Sequence, residues 1–275
     1  MRKVSIVVPT YNQVSYVRAT LDHILHQDYP HLEVIVTDDA STDGTRDVLL
    51  EYQDRIERDK ASFASRVTEE GTVEREVHER YPQNREFRLL LHEKNVGATG
   101  NYNRGFDQIT GEYCTFIVGD DLPHPEMISS LVRSLEEEKA DFVYSDMHIV
   151  DDRGNILRRF SLPDYSFERS FADWYLCGVS KLFRSRLLQA DRFNPKYQLA
   201  NDYDLFSRFA MKGARFFHLP RVLYSVRYHG EDRKVGLHSL ENEARILAES
   251  TEIANLCRSF LKAREVGHEN VRVSS

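Results

Sequence analysis

Asp120 and Asp121 are adjacent carboxylates that follow an apolar run and a glycine. Such a pair suits a hard divalent cation, because Mg²⁺ and Mn²⁺ take oxygen ligands and leave other positions to substrate phosphates and water. Without the ion, each phosphate charge about 4 Å from a carboxylate would be repelled by about 4 kcal/mol at an effective dielectric constant of about 20. The pair predicts a cation with an anionic substrate, or else an ordinary loop in which an aspartate caps the following helix.

Polar residues also follow the first two strand-like runs of the chain. The first run ends in Pro9-Thr10-Tyr11-Asn12, and the second ends in Asp38-Asp39-Ala40-Ser41-Thr42-Asp43-Gly44. Ligands of an open parallel sheet bind at the carboxyl ends of its strands, so we expect these polar ends to share one edge. The first run has no glycine-rich phosphate loop after it, which disfavours classical NAD binding and P-loop chemistry.

The elements that must position these residues alternate between strands and helices. Strands are predicted at 4–8, 32–37, 88–91 and 113–118, and helices at 14–26, 42–53, 100–108 and 125–137. The first strands are continuous apolar runs, which is typical of parallel strands covered on both faces. We therefore predict an α/β fold with a Rossmann-like, mostly parallel sheet flanked by helices.

Other parts of the chain depart from this alternation. Residues 54–86 are highly charged and carry apolar residues at irregular helical intervals, which predicts an inserted helix pair. This pair would be either a solvated element or a contact with a partner or acceptor. The turn sequence at 152–155 predicts a hairpin, and 203–212 and 238–265 have helical patterns. These features divide the chain into a first half, 1–125, a smaller mixed second half, 126–237, and a C-terminal helical segment, 238–275.

The composition is that of a globular protein and excludes several classes. The 275 residues include 37 Lys and Arg against 44 Asp and Glu, for a net charge of −7, which argues weakly against a nucleic-acid partner. The apolar runs are far shorter than the roughly 20 residues of a membrane span, and the N-terminus lacks the pattern of a secretory signal. Three widely spaced cysteines indicate reduced thiols of a cytoplasmic protein.

An ordered set of motifs resembles that of family 2 glycosyltransferases, which have the GT-A fold. The motifs are Val4 to Asn12, Val36 to Thr45, Asn95-Val96-Gly97, Asn103-Arg104-Gly105, Gly119-Asp120-Asp121, Phe142 to Asp146, Ser180 to Arg184, Asn201 to Arg208, and Val222 to His229. The resemblance covers roughly Met1 to His229. It implies that 1–125 binds a nucleotide-sugar and that 126–237 binds the acceptor.

The resemblance implies roles in donor binding for matching residues. Asp39 would accept the imide hydrogen of a pyrimidine base, and Tyr11 would line that base or stack on it. Pro9 and Thr10 would flank the base, and Asp120 would hold the ribose. The same nucleotide site would include Asn95 and Gly97.

The implied chemistry is a single inverting displacement. Asp202 would take a proton from an acceptor hydroxyl while that oxygen attacks the anomeric carbon of the sugar, which we expect to be carried by UDP. Asp121 would ligate a Mn²⁺ or Mg²⁺ ion that bridges the donor diphosphate. The acceptor would be a saccharide or a glycolipid, as in polysaccharide biosynthesis.

Three positions depart from the family pattern. Val118 stands where the first acid of the usual Asp-x-Asp would be, and Tyr102 stands where an arginine often precedes Asn103. Asn201 replaces the glutamate that commonly precedes the base. The Gln-x-x-Arg-Trp motif does not follow Asp202, which indicates a non-processive enzyme.

Four further residues carry weaker hypotheses. Asp204 would contact the acceptor or place charge at a helix N-terminus. Arg227 and His229 fall in a polar segment that runs to Gly236. This segment is either a lid, whose cations meet the diphosphate and whose His229 completes the metal shell, or a mobile solvated loop. Trp174 would line an acceptor cleft or belong to the core.

Two other function classes remain open at this point. A nucleotidyltransferase shares the sheet architecture but needs a basic glycine-rich loop after the first strand, and a degenerate module would bind nucleotide or glycan without turnover. The C-terminal helix has an apolar stripe with a Glu-rich polar face, which favours packing on the protein body. The alternatives for that helix are a protein partner or peripheral attachment at the inner face of the cell membrane.

Overall fold

The computed structural model describes residues 2–58, 61–67, 73–79, 85–168, 177–228 and 240–272. Its strands are β1 (Val4–Thr10), β2 (Leu32–Asp38), β3 (Ala61–Val67), β4 (Val73–Glu79), β5 (Arg85–Leu91), β6 (Tyr113–Phe116), β7 (Leu122–Pro123), β8 (Phe142–Val150), β9 (Ile156–Phe160), β10 (Lys181–Arg184) and β11 (Phe216–Arg227). Its helices are α1 (Val17–Leu25), α2 (Thr45–Arg58), α3 (Gly97–Phe106), α4 (Met127–Glu137), α5 (Arg186–Ala190), α6 (Asn201–Met211) and α7 (Leu240–Arg272).

The central sheet of the described chain follows the order β5-β2-β1-β6-β10-β8-β11-β7, with β9 paired to β8. β1 pairs in parallel with both β2 and β6, and β2 pairs in parallel with β5. β1 and β2 are buried along their whole lengths because both faces of their apolar runs are covered. The predicted α/β fold with a mostly parallel sheet is confirmed, and the carboxyl ends of β1, β2 and β6 meet at one edge.

The second half of the sheet is mixed. β10 is antiparallel to β6 on one side and to β8 on the other, so it joins the two halves of the sheet. β8 also pairs in parallel with β11 and antiparallel with β9. The β8–β9 hairpin matches the turn prediction: the Asp151 carboxylate accepts the backbone N–H groups of Arg153 and Asn155, and Gly154 has a φ of 87°.

The predicted helix pair within 54–86 is wrong in the described residues. After α2, the chain forms the antiparallel pair β3–β4, in which Phe63 is in register with Val77 and Val67 with Val73. On each strand these apolar residues are four positions apart. An interval of four fits the helical period of about 3.6 and is also a multiple of the strand period of about 2, so the spacing could not separate the two structures.

α7 agrees with the predicted C-terminal helix and supports α6. The Glu249 carboxylate accepts the backbone N–H groups of Gln198, Leu199 and Ala200, which directly precede α6. Ile253 and Cys257 of α7 are buried in a small cluster with Tyr197, Ala200 and Tyr203. The favoured packing of this helix on the protein body is therefore observed. None of the described helices combines the length and apolar character that crossing a membrane requires.

Candidate active site

A cleft of about 330 Å³ lies at the carboxyl ends of β1 and β2. It is shaped by the loop after β1, the loop after β2 and the start of α3. Its lining includes all the residues predicted for nucleotide binding except Asp120, namely Pro9, Thr10, Tyr11, Asp39, Asn95 and Gly97, together with Gln13, Ala98, Asn101, Tyr102 and Val118. Sequence positions nearly 90 residues apart thus meet in one cleft, as the parallel topology predicts.

Asp39 is buried and firmly oriented at the base of this cleft. Its carboxylate accepts the backbone N–H of Val96 at 2.9 and 3.1 Å and that of Gly97 at 2.9 Å. Gly97 has a φ of 82°, a backbone conformation that favours glycine and that aims its N–H at Asp39. Asn95 supports the same turn because its Oδ1 accepts the Gly97 N–H at 3.0 Å. The prediction placed these three residues together, and the structure shows how they interact.

Two amide side chains that line the cleft, those of Asn101 and Gln13, were not predicted from the sequence. Asn101 donates from Nδ2 to the carbonyl oxygens of Thr37, at 2.9 Å, and Thr10, at 3.4 Å, and so ties the ends of β2 and β1 together. Asn101 Oδ1 and Gln13 Oε1 are buried and have no hydrogen-bond partner in the described chain. Buried polar atoms without partners are rare, so these two oxygens mark places where a polar ligand can bind. Neither residue is part of a recognisable spacing pattern, so the sequence alone gives no signal for them.

Asp120 and Asp121 lie at the edge of the sheet beyond β6, and both are buried. Asp121 accepts hydrogen bonds from Tyr224 Oη at 3.1 Å and from the backbone N–H of Arg227 at 3.0 Å. Burial raises the pKa of Asp121 well above that of an exposed aspartate, and the neighbouring Asp120 charge raises it further. The negative charge of the pair is therefore costly by itself, and a cation at this place would offset the cost.

Arg227 is a fixed part of this site. It ends β11 and is buried, its Nε donates to the carbonyl of Asp120 at 3.0 Å, and its Nη1 donates to the carbonyl of Asp152 at 2.7 Å. Its guanidinium carbon lies 5.1 Å from the ring centroid of Tyr16. The arginine thus clamps the acidic loop to the β8–β9 hairpin.

Asp202 occupies the first turn of α6 and is partly buried. Its Oδ1 accepts the backbone N–H of Tyr203 at 2.7 Å, and burial raises the pKa of its carboxyl, with the nearby Lys181 ammonium opposing that rise. A partly buried carboxylate with a raised pKa is suited to accept a proton. The Glu249 contacts before α6 fix the position of this turn.

Lys181 and Tyr102 interact with several of these groups. Neither residue was predicted from the sequence to have a role in the site. Lys181 is buried and interacts electrostatically with Asp202 and Asp121. Tyr102 lines the nucleotide cleft, and burial followed by the charges of Asp202 and Asp120 raises its pKa far above the usual range. The electrostatic interactions of these two side chains link the cleft, the acidic loop and Asp202.

Comparison with known proteins identifies the family. The sequence profile described as Glycosyl transferase family 2 matches residues 5–191. The chain belongs to this family. A relative from Campylobacter jejuni, named GalNAc(5)-diNAcBac-PP-undecaprenol beta-1,3-glucosyltransferase, is 26% identical to this family 2 glycosyltransferase over 271 residues, which is 95% of this chain and 76% of the relative.

Solved structures support the GT-A fold prediction. TarS 1-349 of S. aureus in complex with UDP matches with a TM-score of 0.65 and 20% identity, over 93% of this chain and 65% of that one. The mannosyltransferase PcManGT from Pyrobaculum calidifontis, in complex with GDP-Man and Mn²⁺, matches with a TM-score of 0.59 and 18% identity, over 95% of this chain and 75% of that one. This chain thus spans less than two thirds of the TarS chain. At these sequence identities, the similarity to both structures establishes the fold alone.

The weaker candidates fall in different places in this family 2 glycosyltransferase. Asp204 is buried and paired with Arg208 at 2.7 Å, and Arg208 also pairs with Asp191 at 2.6 Å. This arrangement favours a role of Asp204 at the N-terminus of the helix over a contact with the acceptor. Arg227 belongs to β11, and its contacts favour a clamp over a lid. The predictions for Trp174 and His229 lie outside the described residues.

Proposed function

We propose that this glycosyltransferase is inverting and metal-dependent, and that it moves a sugar from a UDP-sugar to a hydroxyl of a saccharide or glycolipid. The observation that carries the proposal is the placement of three groups at one end of the sheet. These groups are the polar cleft around Asp39, the buried pair Asp120–Asp121, and Asp202. A cleft for the base, acids for the diphosphate and its cation, and a separate base for the acceptor are the parts that such a transfer needs.

Asp39 would read the base of the donor. Because Val96 and Gly97 hold its carboxylate in place, the remaining lone pairs can accept an N–H without a loss of side-chain freedom on binding. Uracil has such a donor at N3, whereas cytosine has an acceptor there. Tyr11 is 47% exposed at the mouth of the cleft and can cover the face of the base.

A divalent cation fits the donor set of the acidic loop. No group of three His, Cys, Asp or Glu side chains within the described ranges is arranged to hold an ion. Mg²⁺ and Mn²⁺ need no such group when one or two carboxylates and the substrate phosphates ligate them. Asp121 would hold the ion, beside Asp120 as the ribose contact, and the ion would stabilise the negative charge of the leaving diphosphate.

Asp202 would supply the base for the displacement. It would take the proton of the acceptor hydroxyl as that oxygen forms a bond with the anomeric carbon, while the bond from that carbon to the diphosphate oxygen breaks on the opposite face. The configuration of the sugar is inverted because attack and departure occur on opposite sides. The Campylobacter relative is named for an undecaprenol-linked glycan acceptor, which supports the glycolipid alternative for this chain.

The decisive experiment combines binding with turnover. Calorimetry should show UDP binding that is strengthened by Mn²⁺, and a panel of UDP-, GDP- and CMP-sugars should show hydrolysis of a UDP-sugar when no acceptor is present. Binding without turnover of any donor, in the presence of a mixed glycan acceptor pool, would favour the binding module. A preference for GDP-sugars would contradict the assignment of the base.

Asp39→Asn is expected to weaken UDP binding by about tenfold, since about 1.4 kcal/mol corresponds to one lost hydrogen bond to a charged group. CDP should be affected less, because its base does not present the same donor to the carboxylate. Titration of both nucleotides against both proteins gives the ratio of the two affinities. An unchanged UDP-to-CDP ratio in the variant would show that Asp39 only shapes the loop at Val96 and Gly97.

A further inference from the structure

Lys181 is a buried lysine in the middle of the sheet, and only 1% of it is exposed. It begins β10, and its backbone carbonyl accepts a hydrogen bond from Thr115 Oγ1 on β6. Its Nζ donates to the carbonyl of Val179 at 3.0 Å and lies 3.7 Å from the ring centroid of Phe116. No carboxylate of the described residues lies within ion-pairing distance of Nζ, and its hydrogen bond in that part of the chain is the one to Val179.

The ammonium lies beside the helix that carries the candidate catalytic base. Nζ lies 5.8 Å from the ring centroid of Phe206, which is four residues after Asp202 in α6. Residues at i and i+4 share one face of a helix, so Phe206 and Asp202 both point toward the start of β10. Among the described residues, the charged and titratable groups that interact around this place are Lys181, Asp202, Asp120, Asp121, Cys177 and Tyr102.

We propose that Lys181 is a positioning residue that keeps Asp202 in its carboxylate form, ready to accept the proton of the acceptor hydroxyl. The inference rests on the proposed function and adds a group that this function did not contain. Lys181 does not touch the reacting atoms. It acts through Asp202 by placing a fixed positive charge behind the base, in a part of the protein where water cannot screen it.

The site is an expensive place for an ammonium, which argues against a role in folding alone. Burial lowers the pKa of Lys181 to about 8, although Asp202 and Asp121 both raise it. The aromatic rings of Phe116 and Phe206 would accommodate an apolar side chain of the same length at lower cost. A residue that weakens the fold where an apolar one would strengthen it is a candidate for function.

The effect on Asp202 has a definite sign. A positive charge lowers the pKa of a nearby carboxyl, so loss of the Lys181 charge raises the pKa of Asp202. The base is then protonated over a wider range of acidic pH, and the acidic limb of the activity profile moves to higher pH. We expect a shift of about one pH unit, which corresponds to a tenfold loss of kcat/KM on that limb.

The variants Lys181→Met and Lys181→Arg test this assignment. Met has a similar length and no charge, so we expect the shifted acidic limb with little change in KM for the donor. Arg keeps the charge and should restore part of the activity and the original limb. Lys3→Met is the control. It removes an ammonium at the start of the chain that pairs with Glu86, far from the site, and should leave the profile unchanged. A wild-type profile in Lys181→Met would overturn the proposal.

A double-mutant cycle tests the pair without using turnover. Thermal unfolding of Lys181→Met, Asp202→Asn and the double variant should be non-additive by at least about 2 °C at neutral pH, and additive in acid, where Asp202 is protonated. Additivity at every pH, or failure of both Lys181 variants to fold, would overturn the proposal. Coupling in a protein that turns over no nucleotide-sugar would instead retain the electrostatic interaction between Lys181 and Asp202 and reject the proposed function.

Discussion

Asp202→Asn is expected to lower kcat for sugar transfer by about 10³-fold, within the range of about 10²–10⁴ that a general base contributes. Asn keeps the size of the side chain and one oxygen that can accept the Tyr203 N–H, but it cannot take a proton from a hydroxyl. Asp202 lies outside the lining of the nucleotide cleft. The affinity for UDP with Mn²⁺ should therefore stay within about twofold of the wild type, which calorimetry measures.

Asp107→Asn is a matched control for this variant. Asp107 is a largely exposed carboxylate that follows α3 and pairs with Arg192 at 3.4 Å, so its loss should leave kcat unchanged. Turnover of Asp202→Asn within about threefold of wild type would remove Asp202 from the mechanism. Loss of UDP binding in the same variant would show that Asp202 belongs to the donor site.

The features that could be predicted from the sequence are those that depend on local pattern. β1, β2 and β6 are continuous apolar runs, and the residues after them are polar, so parallel pairing alone brings Asp39 and Asp120 to one edge. The hairpin at 152–155 follows from its own turn residues. In each case the physical cause lies within a few residues of the feature.

The features that could not be predicted depend on contacts between distant segments. β10 is a strand of four residues that begins with a lysine, and its place between β6 and β8 comes from pairing with both neighbours. The role of Lys181 becomes visible only when Phe116 and Phe206 are seen to enclose it. The orphaned oxygens of Gln13 and Asn101 likewise need the folded cleft to be recognised. No spacing along the chain encodes these neighbours.

In the proposed mechanism, Val118 leaves cation binding mainly to Asp121. It lines the cleft at the position where the first acid of the familiar motif would stand, so the proposed cation site would depend mainly on Asp121. Asp121 is already held by Tyr224 and Arg227. Such a pre-oriented carboxylate can bind an ion without paying for its own ordering, which offsets the smaller number of acids.

Asp121→Asn is therefore expected to lower kcat/KM by at least about 10²-fold and to remove the enhancement of UDP binding by Mn²⁺. Asn can still accept the Arg227 N–H and contact Tyr224 Oη, so the loop should keep its shape. The affinity of UDP in the presence of Mn²⁺ should fall by at least about tenfold, or about 1.4 kcal/mol. Asp202→Asn is the matched comparison, because it should lose transfer and keep the Mn²⁺ effect.

The same variant should be more stable than the wild type when no metal is present. The pKa of Asp121 is raised in the folded protein, so the unfolded chain ionises first as pH rises. The stability of the wild type therefore falls between the unfolded and the folded pKa of this group. Asn carries no charge, so the gain in Tm should be absent in acid and largest at mildly alkaline pH. In the presence of UDP, added Mn²⁺ should raise the Tm of the wild type further and give no further rise for Asp121→Asn. Equal stabilisation of both proteins would mean that Asp121 does not ligate the ion.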